Sequence, residues 1–268
     1  MRVLVTNDDG PPNQTISPYI ANFVQALQRY TDWEIVVAVP SSQRSWIGKA
    51  HMIGAEVTGE AITDERTGDL EWLLLSGTPA TCANIGVKHL GPIDLVISGP
   101  NYGRNTSAAY IMSSGTVGAT LEAAIMGVRG IALSYSYTML GHPEEHVSEA
   151  SRLSVALVKY LLANWQQEAQ VYTVNVPLFE GLGPHTPVHY TRILQNQWDA
   201  VFSRPDPATH TYKWAPDYDK CDETVYAAGP GTDAWTVMHN EITVSPIRAV
   251  FQSVDLAGQI DLAGYLEK

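Results

Sequence analysis

Two adjacent acidic residues, Asp8 and Asp9, are the strongest candidates for chemistry in the first part of the chain. They follow an apolar run at 3–5, which is typical of a buried strand, and they precede Gly10, which permits a turn. Neighbouring carboxylates repel each other, and a divalent cation would relieve that repulsion. The pair therefore predicts a metal site. The alternative is a polar turn in which Asp8 or Asp9 caps a helix.

Three further polar segments lie just after a predicted strand or just before a predicted helix, at 40–45, 98–105 and 113–116. In a parallel sheet such positions meet at one edge, where ligands bind. The neutral oxygens of Ser45 and Asn101 can join those of Asp8 and Asp9 at this edge. Because all of these ligands are oxygens, the set favours a hard cation, Mg²⁺ or Mn²⁺.

The last of these segments also predicts a phosphate site, because the free N–H groups and the positive dipole end of a helix attract phosphate. Ser114, Gly115 and Thr116 form the candidate phosphate cradle. Three cations on loops at the same edge are candidates for neutralising the remaining phosphate charge. They are Arg44, Lys49 and Arg104. Metal, cradle and cations together predict a phosphoryl-transfer site.

Taken singly, these residues have simpler explanations. Ser114 is explained as an ordinary helix cap, and Asn101 and Asn105 as partners of loop backbone groups. The two arginines are equally well explained as surface charges, and Glu122, in the helix after the cradle, is expected on the helix surface. The convergence of four segments on one edge is what favours a site.

Composition excludes several other classes of function. The chain has 268 residues and a formal net charge of −12, which argues against binding to a nucleic-acid polymer or to an anionic membrane. Cys82 and Cys221 stand apart and imply neither zinc nor a disulfide. There is no Walker A motif, no Gly-x-Gly-x-x-Gly after the first strand and no Gly-x-Ser-x-Gly elbow. Without a signal-like or membrane-length apolar run, we expect a cytoplasmic protein.

The elements that must position these residues follow a βαβ pattern, which predicts an α/β domain with a mostly parallel sheet. Further strands are predicted at 33–39, 93–97, 130–134, 171–176 and 242–247. Helices are predicted at 17–30, with Ser17 as the N-cap, and at 79–90, 116–126, 145–165 and 253–266. The stretch 57–75 suggests a hairpin or an excursion from the sheet, 98–114 a long loop, and 181–234 irregular structure. We therefore predict a single domain, 1–268, with a core at 1–180 and a C-terminal extension at 181–268 that joins subunits.

In order along the chain, eight short motifs resemble those of the SurE family of survival-protein phosphatases and nucleotidases. They are Val-Thr-Asn-Asp-Asp-Gly at 5–10, Arg-Ser at 44–45, Gly-Thr-Pro-Ala at 77–80, Ser-Gly-Pro-Asn at 98–101, Ser-Gly-Thr-Val at 114–117, Asn-Val-Pro at 175–177, Gly-Thr-Asp at 231–233 and Val-Ser-Pro-Ile at 244–247. The resemblance implies a metal-dependent phosphomonoesterase on a Rossmann-like, three-layer αβα domain, assembled as a homodimer or homotetramer.

The resemblance also implies roles for part of the site. The metal ligands fall on Asp8, Asp9, Ser45 and Asn101, and we predict the two aspartates as the catalytic pair. The phosphate-cradling segment falls on Ser114, Gly115 and Thr116, and Asn105 lines the same pocket. Further candidates for phosphate or substrate binding are Asn7, Arg44, Lys49 and Arg104. Pairing with a metal keeps both aspartates ionised, so activity is expected to persist at mildly acidic pH.

Two segments look like a fungal branch of the family, some of whose members are described as acid phosphatases. They are Ser-Trp-x-Gly-Lys-Ala-His at 45–51 and Gly-Arg-Asn-Thr-Ser-Ala-Ala-Tyr at 103–110, in which Lys49 and Tyr110 could reshape the pocket. Two alternatives remain open: a non-catalytic nucleotide or phosphate sensor, and a scaffolding role for the C-terminal extension. Retention of both Asp8 and Asp9 speaks against the sensor, because a mere anion site would bind better without two carboxylates.

Overall fold

The computed structural model describes residues 1–137 and 143–252, and within them one mixed sheet carries helices on both faces. The strands are β1 (Arg2–Thr6), β2 (Glu34–Pro40), β3 (Gly59–Thr63), β4 (Glu71–Leu75), β5 (Leu95–Tyr102), β6 (Arg129–Ser136), β7 (Val171–Pro177), β8 (Val188–Tyr190) and β9 (Ile242–Ile247). The helices are α1 (Ile20–Tyr30), α2 (Pro79–His89), α3 (Ser107–Ile111), α4 (Gly115–Ile125), α5 (Glu144–Ala163), α6 (Tyr218–Ala228) and α7 (Asp233–Met238), with a 3₁₀ turn at Glu65–Thr67.

The strands of the sheet lie in the order β3-β4-β2-β1-β5-β6-β7-β9-β8. The six central strands, from β4 to β7, pair in parallel, whereas β3 and β9 run antiparallel to β4 and β7. The predicted α/β, Rossmann-like fold is confirmed, and the stretch 57–75 forms the antiparallel β3–β4 pair at one edge. The carboxyl ends of β1, β2 and β5 therefore meet at one side, as the parallel arrangement requires.

Strand β1 shows why the domain has three layers. Its side chains alternate between the two faces of the sheet. Val3 and Val5 pack with Phe23 of α1 in one apolar cluster, to which α5 also contributes. Leu4 packs with Cys82 of α2 in a second cluster on the opposite face. Because both faces are covered by helices, the strand reads as a continuous apolar run rather than an alternating one.

Two predicted boundaries are wrong. Ser17 does not cap α1, which begins at Ile20; its hydroxyl instead donates to the Gly10 carbonyl oxygen at 2.9 Å and accepts from Asn7 Nδ2 at 3.2 Å. The stretch 98–114 is not one long loop. Strand β5 resumes pairing with β6 at Asn101 after a register shift, and the short helix α3 follows.

The prediction of irregular structure at 181–234 is wrong in part, since β8 and α6 lie within that stretch. Helix α6 is capped by Asp217, whose side chain accepts from the Lys220 N–H, and it buries only Cys221 and Val225. With two buried apolar positions, its helical periodicity is too weak to be recognised in the sequence. The predicted helix at 253–266 lies outside the described residues. Neither Cys82 nor Cys221 forms a disulfide, and both are buried.

Across 1–137 and 143–252, none of the helices combines the length and the apolar character that a membrane crossing requires.

Candidate active site

The turn after β1 is held by Asn7. Its Oδ1 accepts from the Gly10 N–H at 3.1 Å, and its Nδ2 donates to the Gly10 carbonyl oxygen at 2.8 Å and to Ser17. Both amide protons are therefore used within the turn, and the side chain is fully buried. The structure gives Asn7 a structural role and does not place it against the cavity described below.

Asp8 is bound by the start of α4. The Gly115 N–H donates to Asp8 Oδ2 at 3.0 Å, and the Thr116 hydroxyl donates to Asp8 Oδ1 at 2.6 Å. A Cβ on residue 115 would lie 2.7 Å from Asp8 Cβ, so only glycine allows this close approach. The donors predicted to cradle phosphate on Gly115 and Thr116 are thus taken up by a carboxylate. Ser114 caps α4 by accepting from the Val117 N–H.

Asp9 lies beside Asp8 and has a different partner, the Tyr102 N–H, which donates to Asp9 Oδ2 at 2.8 Å. Both aspartates are about 2% exposed. Burial raises the pKa of Asp8 above its ordinary value, despite the hydrogen bond from Thr116. Burial, together with the negative charge of Asp8, raises the pKa of Asp9 well above its ordinary value. Within the described residues, neither carboxylate forms an ion pair with a basic side chain.

Asn101 adds another oxygen to this group. Its Nδ2 donates to the Gly103 carbonyl oxygen at 2.7 Å, which leaves Oδ1 facing the Thr116 hydroxyl at 3.1 Å. That hydroxyl has one proton for two acceptors, Asn101 Oδ1 and Asp8 Oδ1. The site therefore holds more acceptor oxygens than donors, which is the imbalance that a hard cation corrects.

The residues present fit a divalent cation with oxygen ligands. In the part of the chain that the structure describes, no three His, Cys, Asp or Glu side chains are grouped as a metal site. An ion here would therefore be held by the two carboxylates together with neutral oxygens, for which Asn101 and Ser45 are the candidates. This is the ligand chemistry of Mg²⁺ or Mn²⁺ rather than of Zn²⁺.

The loop after β2 approaches the aspartates through its backbone. The Arg44 N–H donates to the Asp8 carbonyl oxygen at 2.7 Å, which places the exposed Ser45 at the same edge. Gly10 has a φ of +89°, and a Cβ there would lie 3.1 Å from the carbonyl carbon of Ser42. Glycine at this position therefore lets the two loops pass each other. Arg44 Nε is buried without a hydrogen-bond partner.

A cavity of about 680 Å³ opens in front of these loops. Six of the predicted site residues line it: Asp8, Ser45, Asn101, Arg104, Asn105 and Ser114. Asn105 is fixed there because its N–H donates to Asn175 Oδ1 at 2.8 Å and its Nδ2 donates to Ser134 Oγ at 3.0 Å. The other six are not among the lining residues: Asn7, Asp9, Arg44, Lys49, Gly115 and Thr116.

Lys49 belongs to a separate polar cluster on α4. Its Nζ lies 2.6 Å from Glu122 Oε2, and Glu122 also accepts from Asn84 at 2.7 Å and contacts His51 Nε2 at 3.3 Å. Glu122 is buried, so the expectation of a helix-surface role is wrong. Burial opposes its ionisation, but hydrogen bonds from Lys49, Asn84 and His51 bring the net pKa of Glu122 below its ordinary value.

Arg104 lies in the cavity, but its charge is already paired. Its Nη2 forms an ion pair with Asp222, and its guanidinium lies over the Tyr110 ring, 5.1 Å from the centroid. Asp222 and most of the aromatic lining were not predicted from the sequence. The missed lining residues include Trp46, Tyr102, Tyr137, Asp222, Tyr218 and Tyr226. Trp46 could have been found as the neighbour of Ser45, whereas the residues on α6 carry no comparable signal.

The fold and the site together define a Rossmann-like α/β protein with a buried carboxylate pair at the ligand-binding edge of its sheet. The chain belongs to the SurE family, since the family's sequence model, Survival protein SurE, matches residues 3–200. This confirms the resemblance found in the motifs.

Relatives extend over nearly the whole chain. A Saccharomyces cerevisiae protein named probable tubulin–tyrosine ligase PBY1 is 35% identical over 98% of this chain, which spans 43% of that protein's length. The 5′-nucleotidase SurE of Methanocella arvoryzae is 31% identical over 92% of this chain and 91% of its own. The crystal structure of the SurE protein from Aquifex aeolicus superposes with a TM-score of 0.73 at 26% identity, covering 94% of this chain and 95% of that one.

Proposed function

We propose that this chain is a divalent-metal-dependent phosphomonoesterase that acts on nucleoside 5′-monophosphates and retains activity at mildly acidic pH. The observation that carries the proposal is the Asp8–Asp9 pair, buried and bound only by neutral donors, with Asp8 at the wall of a 680 Å³ cavity. The Methanocella arvoryzae relative named 5′-nucleotidase SurE supports the same reaction class, hydrolysis of a phosphoric monoester.

Asp8, Asp9, Ser45 and Asn101 are the residues that would hold Mg²⁺ or Mn²⁺. When bound, the cation supplies Lewis-acid polarisation of the phosphoryl oxygen and lowers the pKa of a bound water. It would also compensate the repulsion between the two carboxylates, which adds to burial in raising the pKa of Asp9.

The charge balance of the cavity explains why a metal is needed. The whole chain carries a formal net charge of −12, and the cavity's own arginine, Arg104, is neutralised by Asp222. A phosphate dianion would therefore meet a net negative surface without an added cation. Substrate binding and chemistry are both expected to depend on the ion.

The two carboxylates have different tasks in this proposal. Asp8 lines the cavity and is oriented by Gly115 and Thr116, so it is the carboxylate that can reach the phosphoryl group or accept a proton from an attacking water. Asp9 lies behind it, held by Tyr102, and acts on the substrate only through the shared ion. Ser114 and Asn105 line the same space and would contact phosphate oxygens.

The test is phosphate release from p-nitrophenyl phosphate and from AMP, GMP, CMP and UMP, between mildly acidic and neutral pH. Each assay is run with EDTA and again after restoring Mg²⁺ or Mn²⁺. Asp8→Asn protein, purified in parallel, controls for contaminating phosphatases. Turnover that EDTA removes and metal restores is the expected result. Metal-dependent nucleotide binding without phosphate release would instead establish the sensor.

Homo-oligomeric assembly and a cytoplasmic location stay predictions.

A further inference from the structure

An aromatic wall borders the cavity next to the candidate metal ligands. Trp46 follows Ser45 directly in the chain, and Trp46 and Tyr110 both line the cavity that Asp8 borders. Arg104, whose guanidinium lies over the Tyr110 ring, is already paired with Asp222, so we assign neither ring to the metal or the phosphate. Their position instead suits the part of the substrate that remains after phosphate is removed.

Two further tryptophans pack against the rings of this wall. Trp198 lies 5.2 Å from the Trp46 ring and 4.8 Å from the Tyr110 ring, centroid to centroid, and its Nε1 donates to the Ala109 carbonyl oxygen at 2.6 Å. Trp214 meets Trp46 edge-on at 4.7 Å. The two cavity-facing rings are therefore held in fixed orientations by a network that does not itself line the cavity.

Trp46 is also held in an unusual backbone conformation. Its φ is +64°, in the left-handed region that bulky residues rarely adopt. The following turn is anchored to α4, because the Gly48 N–H donates to the Ser113 carbonyl oxygen at 2.7 Å and Gly118 leaves room for Gly48. The loop accepts this strain while presenting a planar ring beside the phosphate end of the site.

We propose that Trp46 and Tyr110 form a stacking wall that receives the planar aromatic ring of the substrate's leaving group, which in a nucleoside 5′-monophosphate is the base. The inference rests on the proposed phosphomonoesterase function and specifies its substrate class. The cavity volume of about 680 Å³ lies inside the range of roughly 300–1,000 Å³ usual for small-molecule sites, so phosphate, sugar and base have room together. Stacking accepts every base, so the wall selects for the presence of a base and not for its identity.

The experiment compares AMP with ribose 5-phosphate, which has the same phosphoester and no base. In the wild type, kcat/KM for AMP is expected to exceed that for ribose 5-phosphate about tenfold, with the four nucleotides within a few-fold of one another. Trp46→Ala is expected to remove most of this ratio, and Trp46→Phe, which keeps a ring, to retain at least half of it. Trp235→Ala, a tryptophan stacked on His239 outside the cavity lining, is the matched control and should leave the ratio unchanged.

Because the ratio is measured within one protein, a partly unfolded variant does not mimic the result. Should Trp46→Ala fail to fold, Tyr110→Leu carries the same test, and the wild-type ratio stands by itself. Equal kcat/KM for AMP and ribose 5-phosphate in the wild type would overturn the stacking wall and leave the phosphatase intact. So would an unchanged ratio in Trp46→Ala. Absence of turnover with every phosphoester would overturn the proposed function itself.

Discussion

Two carboxylate clusters pack against helix α4, and they are opposite in charge balance. Glu122, in the second half of the helix, is matched by Lys49 and His51 and receives a further hydrogen bond from Asn84. The pair at the start of the helix, Asp8 and Asp9, has only neutral N–H and O–H donors. The carboxylates of both clusters are buried, so burial of the acid alone does not distinguish them.

The pKa values show the consequence of this difference. Burial acts on all three carboxyl groups, yet the pKa of Glu122 falls below its ordinary value, whereas those of Asp8 and Asp9 rise. A carboxylate matched by its own cation anchors one part of the fold to another. A buried carboxylate pair that has no basic side chain beside it is suited to binding a cation from solution.

Turnover should separate the clusters most strongly. Asp8→Asn and Asp9→Asn are each expected to lower kcat/KM by at least about a hundredfold, which corresponds to about 3 kcal/mol of transition-state stabilisation, because each removes a proposed ligand of the proposed catalytic ion. Glu122→Gln should lower it far less. The measurement is steady-state phosphate release with saturating metal, alongside metal binding by calorimetry. Near wild-type rates in either aspartate variant would contradict the metal-site assignment.

Without metal, a substitution in each of the two clusters should change the stability of the protein in opposite directions. In EDTA, Asp9→Asn is expected to raise the free energy of unfolding by about 1 kcal/mol, because it removes a buried like charge while the amide oxygen of the new side chain can take the place of the carboxylate oxygen that accepts from the Tyr102 N–H. Glu122→Gln should lower it by about 1–2 kcal/mol, because Lys49 then loses its partner. Urea unfolding measures both. If both variants were destabilised equally, the contrast between the clusters would not hold.

The close approach of α4 to Asp8 gives a third test. Gly115→Ala would place a Cβ 2.7 Å from Asp8 Cβ and 2.9 Å from its Oδ2, so the helix or the carboxylate must shift. We expect a loss of about 1–3 kcal/mol of stability together with weaker metal binding. Gly183→Ala, where the nearest atom is 3.8 Å from the added carbon, is the matched control. Unaltered metal affinity in Gly115→Ala would show that Asp8 is not held by this contact.

The smallest effect is the acid dependence of the Glu122 cluster. The pKa of Glu122 is lower in the folded protein than the ordinary value of 4.5, so the unfolded state binds a proton at a higher pH than the folded state does. Its stabilisation, on the order of 1 kcal/mol, is fully present above pH 4.5 and is lost as the pH falls through the lower folded value. The difference in unfolding free energy between wild type and Glu122→Gln should therefore shrink in acid. A difference that stayed constant with pH would assign the loss to packing.

The sequence predicted the parts of the site that follow from local motifs and from parallel-sheet topology. Asp8, Ser45 and Asn101 line one cavity because Asp8 and Ser45 follow β1 and β2 and Asn101 lies at the carboxyl end of β5, and that rule needs no side-chain detail. The choice of ion-pair partner between residues that are distant in sequence does not follow from such a rule. Nothing in the motif around Lys49 indicates that it reaches Glu122 instead of a phosphate, since that depends on how the loop packs on α4.

Backbone and tertiary effects account for the rest of what was missed. The left-handed conformation of Trp46 is set by packing and has no composition signal, because the residues that usually mark it are glycine or asparagine. Asp222 and its neighbours lie on a helix with two buried apolar positions, too few to define a periodicity. The donors on Gly115 and Thr116 were predicted to bind an anion, and they do. That anion is the Asp8 carboxylate and not a phosphate.

Asp233 joins the two stretches of chain that build the cavity. Its buried carboxylate accepts from the Ser107 N–H at 2.7 Å and the Leu194 N–H at 3.0 Å, which ties the last third of the chain to the helix bearing Tyr110. The oxygens for chemistry all come from the first 116 residues, whereas α6 and the tryptophan supports come from beyond residue 190. In the proposed function, the groups that would touch the phosphoryl group and the base thus lie in the first part of the chain, and the later stretch holds the Trp46 and Tyr110 rings in place. Substitutions in the later stretch are therefore expected to change how the leaving group is held, while the oxygens around the phosphoryl group stay in place.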